Sequence, residues 1–332
     1  MTCESNNCLV CERGTLEPTS LTVRIPNVLK RWEEVMSSPF PAAVWRDYAA
    51  TGDKVVIFSQ CTECGFGRFD PVVTGTAGFY EAISATDYYN SEKWEFYCAA
   101  DDLKESGAHR ILDVGCGSGR FLDYLRSRLG GAALYGYDLN EGLVAQLAKR
   151  GFGTLPNDPV RFDEALAGQP PFDAICMLQI LEHVADPVNF LEKFLRLLKP
   201  GGLLIVTTPN AAGPIRFFPD ALTEIPPHHV TRWTERAFAA LLPKLGASIR
   251  SVKIEPLPEY LWDSYLPPMW DDPIWPAQIF DPLARKRGLH AVGERAGFAA
   301  QAMRSAGIRW LHGVSGHTIY VTACREEQWT RS

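Results

Sequence analysis

The sequence predicts an α/β fold: a parallel sheet with helices on both faces, preceded by a small cysteine-bearing module and followed by a proline- and tryptophan-rich insertion. Three observations carry this. Between residues 109 and 255, short apolar runs alternate with helical periods. The first run leads into a glycine-rich turn, Gly115-Cys116-Gly117-Ser118-Gly119, that opens a helix. Two Cys-x-x-Cys pairs, Cys8/Cys11 and Cys61/Cys64, lie in the mixed, strand-like sequence ahead of the alternation.

Taken in order, residues 1–75 hold the cysteine pairs and apolar runs such as 54–58; residues 76–108 read as a helical lead-in rich in aromatics (Tyr88, Tyr89, Trp94, Phe96, Tyr97). The sheet strands are expected at 110–114, 133–138, 152–155, 172–177 and 202–208, with helices at 119–129, 141–150 and 187–198. Pro200-Gly201-Gly202 is expected to end the last of these helices, since neither residue type continues one. In residues 256–290 prolines and tryptophans crowd together (Pro256, Pro258, Trp262, Pro267, Pro268, Trp270), which reads either as a lid or as an irregular loop over core. A helix near 293–306 and a strand at 317–323 close the chain and complete the sheet.

Composition narrows the function. The 332 residues suffice for one large domain with appendages or for two, and 46% hydrophobic residues supply a sizeable core. A net charge of −6 argues against a nucleic-acid partner, which demands a basic face. No apolar stretch reaches the roughly 18 residues of a membrane span, and no charged region followed by an apolar run marks a secretory signal. The expected setting is cytoplasmic and reducing, where spaced cysteines read as metal ligands before disulfides.

The glycine turn names the ligand class. Gly115, Gly117 and Gly119 let backbone turn tightly and approach a ligand closely. A dinucleotide loop would carry a further glycine at position 120, where Arg120 stands instead. Asp113 precedes the loop, and an acid there repels a pyrophosphate but suits a ligand with a sulfonium and an amino group. Asp138, at the end of the second strand, suits ribose hydroxyls or a helix cap ahead of Glu141. These residues favour S-adenosylmethionine (SAM).

Residues 109–208 resemble the class I SAM-dependent methyltransferases, in particular the small-molecule group that includes the ubiquinone O-methyltransferases. The glycine loop, Asp138, Gln179-Ile180-Leu181-Glu182-His183-Val184 and Leu198-Lys199-Pro200-Gly201-Gly202 carry the resemblance. It implies a Rossmann-like seven-stranded sheet with a reversed last hairpin, a loop that holds the methionine part of SAM, Asp138 on the ribose, and Asn157 and Asp158 near adenine. Gln179 falls within the cofactor site by the same alignment. In some ubiquinone-type relatives an acid at that place helps an adjoining Glu-His pair hold a divalent metal; the neutral Gln179 is a weaker ligand and counts against such a metal. Glu182 and His183 are alternatively expected to hydrogen-bond the pocket or a neighbouring loop.

Beyond the fifth strand, Pro226-Pro227-His228-His229 stiffens the approach to two adjacent histidines. Adjacent side chains point apart, so one of them is expected to face the site. The segment is similar to the acceptor-pocket Glu-His segment of NDP-sugar methyltransferases, with His229 on that histidine and His228 on the glutamate. Thr231 or Thr234 is expected to cap a helix at 235–243. Methyl transfer by direct displacement needs acceptor and methyl held in line and water excluded. A hydroxyl or activated-carbon acceptor also gains from a base, for which His229 is the first candidate, His183 the second and His228 the third. Tyr88, Tyr89 and Trp94 are expected either to wall the pocket or to be ordinary core.

The cysteine pairs, with Gly65 completing the second turn, suit a closed tetrahedral zinc of structural type at Cys8, Cys11, Cys61 and Cys64. Similar N-terminal zinc modules precede some sugar C-methyltransferases. Cys3 is left over, and Cys116 and Cys176 read as small packed residues. The expected partner is a small-molecule acceptor, whose identity and atom of attack, like the oligomeric state, lie outside the sequence. The competing readings are an RNA methyltransferase gripping RNA through the zinc module, and a binding module that keeps SAM as a structural ligand.

Overall fold

The computed structural model describes residues 7–84, 93–270 and 292–327. In chain order its strands are β1 (Leu16–Val23), β2 (Val56–Cys61), β3 (Gly67–Asp70), β4 (Arg110–Val114), β5 (Ala133–Tyr137), β6 (Gly153–Leu155), β7 (Phe172–Leu178), β8 (Leu198–Pro209), β9 (Thr231–Arg232), β10 (Ala247–Pro258) and β11 (Trp310–Arg325). Its α-helices are α1 (Ile25–Met36), α2 (Ala42–Asp47), α3 (Ala77–Ser84), α4 (Trp94–Ser106), α5 (Arg120–Arg128), α6 (Glu141–Lys149), α7 (Pro159–Leu166), α8 (Pro187–Leu195), α9 (Glu235–Leu241), α10 (Trp262–Trp270) and α11 (Val292–Ser305).

The main sheet has seven strands in the order β10-β11-β8-β7-β4-β5-β6. Strands β4 to β8 run parallel, while β11 is antiparallel to both β8 and β10, which is the reversed last hairpin that the resemblance implies. This is the Rossmann-like sheet of class I methyltransferases. Its central strands are buried on both faces, as their continuous apolar runs require: Ile111, Leu112 and Val114 of β4 and Ala174 to Met177 of β7 are inaccessible to solvent.

Two local expectations change. The helix expected over 187–198 ends at Leu195, and Pro200-Gly201-Gly202 lies inside β8. There Phe172 pairs with Leu198 and Ala174 with Leu203, so the turn, with Gly201 at φ 70°, forms a bulge in the ladder. In the proline- and tryptophan-rich stretch, Pro267 and Pro268 sit within α10. Its Trp262 and Leu266 pack with Ala296, Ala300 and Met303 of α11, which supports the helix across the prolines. Residues 271–290, the rest of the expected lid or irregular loop, lie outside the described residues, as do residue 291, Cys3, Tyr88 and Tyr89. Trp94 packs edge-on against Tyr320, 5.9 Å between ring centres.

The N-terminal sheet, β1-β2-β3-β9, takes its fourth strand from residues 231–232, deep in the second half of the chain. Cys8, Val10, Cys11, Cys61, Cys64 and Phe66 share one apolar core with Leu112, Trp233 and Phe238. Residues 7–75 are therefore packed into the main domain.

Candidate functional site

The carboxyl ends of β4, β5 and β7 form the edge at which open α/β sheets bind ligands. From β4 the chain turns through Gly115, Gly117 and Gly119, at φ of 76°, 50° and 80°, a region that disfavours any residue with a Cβ. The glycines differ in what surrounds them. A Cβ on Gly115 would collide with Ile180 and one on Gly119 with Leu147, so these two serve close packing. A Cβ on Gly117 would meet nothing within 4 Å. That open side is where a ligand can lie against bare backbone.

Two carboxylates face this loop. Asp138 accepts hydrogen bonds from Gly117 N–H (2.9 Å) and Asn140 N–H (2.8 Å), which pins the loop to the end of β5. The cap of α6 is Asn140, whose side chain accepts from Gly142 and Leu143, so Asp138 is not the helix cap. Asp113 is 3% exposed, and burial, with the Asp138 charge second, pushes its carboxyl well above the usual range. Two neighbouring carboxyls of which one is fully buried favour a cationic ligand between them. Asn157 accepts a hydrogen bond from the Tyr137 hydroxyl at 2.8 Å, and Asp158 caps α7 through Arg161 N–H at 2.9 Å. Gln179 adopts φ 58°, and its side chain reaches Glu95 (3.5 Å) and Thr207 (3.4 Å).

The second assembly is a histidine cluster on the same side of the sheet. Adjacent His228 and His229 were expected to point apart, yet both rings meet His183: centroids lie 4.8 Å (His183–His228), 4.7 Å (His183–His229) and 4.4 Å (His228–His229) apart. The cause is the path of the chain. Val230 N–H donates to Glu182 C=O at 2.7 Å, and the Thr231 hydroxyl to Leu181 C=O at 2.9 Å, so the segment is laced onto the short 3-10 turn that bears His183. On its other side, Phe69 N–H donates to Val230 C=O and the Thr234 hydroxyl to Cys64 C=O (2.6 Å). Thr234 also accepts from Ala237 N–H and caps α9, as expected for one of the two threonines.

Each ring is anchored through Nδ1: His183 donates to His228 C=O (2.7 Å), His228 to Thr223 C=O (3.0 Å) and His229 to the Glu224 carboxylate (3.3 Å). Glu224 also pairs with His317 at 3.5 Å. Burial opposes the Glu224 charge, but His229 and His317 outweigh it and hold the carboxyl well below the usual range. Burial, then the other histidines, hold His183 well below the ordinary imidazole value; His228 is lowered to about 3 by burial and by His229. His229 is lowered by burial, against the pull of Glu224. The rings are thus neutral near pH 7, with Nδ1 protonated. Glu224, His317 and Tyr80, whose hydroxyl reaches His183 Nδ1 (3.0 Å) and His228 C=O (3.2 Å), were not singled out in the sequence. The only local signal was an acid five positions before His229.

The four cysteines also converge. Cys8 and Cys64 sulfurs lie 3.7 Å apart and those of Cys11 and Cys61 3.5 Å apart, and all four lie within 4.8 Å of one another. A tetrahedron with metal–sulfur bonds near 2.3 Å has edges of about 3.8 Å. Amide N–H groups of Gly14, Glu63 and Cys64 point at Cys11 or Cys61 sulfur within 3.5 Å. Gly65, at φ 74°, turns the chain, its own N–H donating to Cys61 C=O.

Sheet order, reversed hairpin, glycine loop and paired acids together define a Rossmann-like α/β protein of the class I methyltransferase type. The sequence profile described as a methyltransferase domain matches residues 83–252, just over half of the 332, and the chain belongs to that family. It is 40% identical over 109 residues to a ubiquinone biosynthesis O-methyltransferase of Xylella fastidiosa (strain 9a5c), covering 32% of this chain and 43% of that one. To the enzyme of the same name from Caulobacter vibrioides it is 36% identical over 126 residues, covering 37% and 48%. The chain thus spans about half the length of the curated relatives it matches. Among solved structures, a plantazolicin methyltransferase in complex with a triazolic desmethylPZN analog and SAH aligns with 14% identity over 75% of this chain and 90% of that one, at a TM-score of 0.47.

Proposed function

We propose that this protein is an enzyme that transfers a methyl group from SAM to a small hydroxyl-bearing acceptor, by direct displacement at the carboxyl edge of the main sheet. The observation that carries this reading is the open face of Gly117 set against Asp138 and the buried Asp113. When bound, SAM supplies an electrophilic methyl on a positively charged sulfur. The glycine loop brings bare backbone against the ligand, and the two carboxylates favour its positive charge. Each Asp138 oxygen accepts one amide bond and keeps a lone pair for a ribose hydroxyl. Asn157 and Asp158 follow β6, on the adenine side of such a site; the Asp158 carboxylate accepts its capping bond, and the Asn157 carboxamide, which accepts from Tyr137 through its oxygen, offers its N–H groups as donors.

The acceptor's proton leaves toward the histidine cluster. His229 is oriented by Glu224, so its Nε2 is the unprotonated nitrogen that can receive it, with His183, 20% exposed at the side chain, as the more accessible second group. An oxygen acceptor is favoured over carbon by the O-methyltransferase names of the matched relatives. Cys8, Cys11, Cys61 and Cys64 hold a structural zinc, whose sulfur cage leaves no open position for chemistry. The eight described cysteines form no disulfide with one another, in keeping with a reducing, cytoplasmic setting. Among the described residues no helix is long and apolar enough to cross a membrane.

The test has two parts. Calorimetric titration of the purified protein with S-adenosylhomocysteine is expected to show binding, and the absence of heat removes the assignment. Incubation of metabolite pools with methyl-labelled SAM is then expected to label a small molecule. Label transferred to RNA alone would replace the small-molecule reading.

A further inference from the structure

We propose that His317, and behind it Tyr265, are positioning residues of the proton step: together they clamp the Glu224 carboxylate onto His229 and tie that ring to the helices beyond β10. The proposal rests on the methyl-transfer reading, in which His229 receives the acceptor's proton.

Glu224 is 3% exposed, and a buried carboxylate is stable only when its oxygens are engaged. Its backbone is fixed by Arg232, whose Nη2 donates to the Glu224 C=O at 2.9 Å. Its side chain is held from two directions. Oε2 accepts from His229 Nδ1 at 3.3 Å, and His317 Nε2 lies 3.5 Å from Oε1. The Thr223 hydroxyl, also 3.5 Å from Oε1, adds a neutral contact. With a histidine on each oxygen, the carboxylate cannot turn without losing one of them. A carboxylate fixed in this way sets the tautomer and orientation of a basic imidazole.

His317 brings charge as well as geometry. Burial works against its cation, but the bond to Glu224 and the charges of Glu224 and Glu255 outweigh burial and raise the imidazole above its ordinary value, with Lys93 opposing. His317 therefore favours the imidazolium, in which both nitrogens donate. Nε2–H serves Glu224, and Nδ1–H serves the Tyr265 oxygen at 3.1 Å. The Tyr265 and His317 rings also stack, 6.2 Å between centres and 9° between planes. Tyr265 belongs to the core that α10 shares with α11. The position of those helices thus reaches His229 through Tyr265, His317 and Glu224 in turn. Burial is the main influence against a proton on His229, Glu224 favours one, and His317 and Arg232 oppose it. The His317 cation therefore helps keep His229 unprotonated until the acceptor gives up its proton.

The test uses full-length, zinc-loaded protein labelled with 15N-histidine. At pH 6.5, where an ordinary histidine is about half protonated, two-bond proton–nitrogen spectra are expected to show His317 mainly as imidazolium and His229 neutral with its proton on Nδ1. In His317→Ala the His229 signals are expected to move to a mixture of tautomers. Turnover should fall about tenfold, part of the 10²–10⁴-fold that a base supplies, with KM unchanged. The acid limb of kcat should move to higher pH, since a cation opposing the protonation of His229 is gone. His317→Gln, which keeps an N–H donor without the charge, is expected to restore turnover but not the acid limb, and it serves in place of His317→Ala should that variant fail to fold. Tyr265→Phe should cost roughly 2–10-fold in kcat, the worth of one hydrogen bond. A neutral His317 in the wild type, or a folded His317→Ala with the His229 tautomer and the acid limb unmoved, overturns the proposal. Failure of the methyl-transfer reading itself would appear separately, as absent S-adenosylhomocysteine binding in the wild type, and the spectra would still decide whether the clamp exists.

Discussion

Replacement of Gly117 by alanine separates the needs of the fold from those of the cofactor. At φ 50° an alanine is strained, and the left-handed conformation costs on the order of 1–2 kcal/mol. The added methyl strikes nothing in the protein. Gly131, in the turn before β5, is a matched control: φ is 82°, and a Cβ there also meets nothing within 4 Å. Both variants should therefore lose about 1 kcal/mol of stability, a fall of roughly 2–4 °C in Tm for a domain of this class of size. Only at Gly117 does the methyl project into the ligand's space, where one extra methyl in a fitted contact costs about 1–3 kcal/mol. At about 1.4 kcal/mol per tenfold, that is a loss of roughly 5–150-fold in affinity. The assay is calorimetric titration with S-adenosylhomocysteine, with thermal unfolding measured alongside. Equal affinities in Gly117→Ala and Gly131→Ala would place the cofactor somewhere other than this loop.

Four further outcomes are expected. Asp138→Ala should weaken S-adenosylhomocysteine binding by tenfold or more (about 1.4 kcal/mol), since a ribose acceptor and the brace of Gly117 go together; unchanged binding removes Asp138 from the site. His229→Ala should bind S-adenosylhomocysteine as the wild type does while turnover falls by about 10²–10⁴-fold, and unchanged turnover ends its role in the proton step. Glu255, buried and near Glu95, is pushed up from 4.5 to about 7. Its folded form keeps a proton that the unfolded chain releases, so stability should fall as pH rises from about 4.5 through 7, by about 3 kcal/mol in total. Glu255→Gln should flatten that fall in pH-dependent urea titrations, and an unchanged slope would refute the shift. Thr234→Val removes both the cap of α9 and the bond to Cys64 C=O. It should cost about 1–2 kcal/mol and speed zinc loss to a chelator; equal rates of loss would show that the cysteine site is held independently of α9.

Much of the site was legible because it rests on local chemistry. The glycine spacing and the acid before it specify a backbone shape and a charge, and both depend on residues within a few positions of one another. Strand β4 appears where its apolar run places it, and the cap at Thr234 follows from a side chain beside its own helix, whereas the cap of α6 falls on Asn140 and not on the expected Asp138. The Cys-x-x-Cys pairs likewise advertise a knuckle apiece. The misplaced boundary at Leu195 has a physical cause: Pro200 and Gly201 are as well suited to a β-bulge as to a helix stop, and only the pairing of β7 with β8 decides between them.

The sequence by itself determined the alternation of strands and helices over residues 110–208, the glycine loop with its carboxylates, and the two cysteine knuckles. Only tertiary structure decided that β9 completes the N-terminal sheet, that the cysteines share a core with the main sheet, and that both adjacent histidines turn to His183. Helix periods and glycine turns are written in neighbouring residues. The histidine cluster joins positions 183, 224, 228, 229 and 317, drawn together by packing and by backbone hydrogen bonds that carry no signature in any one stretch of chain.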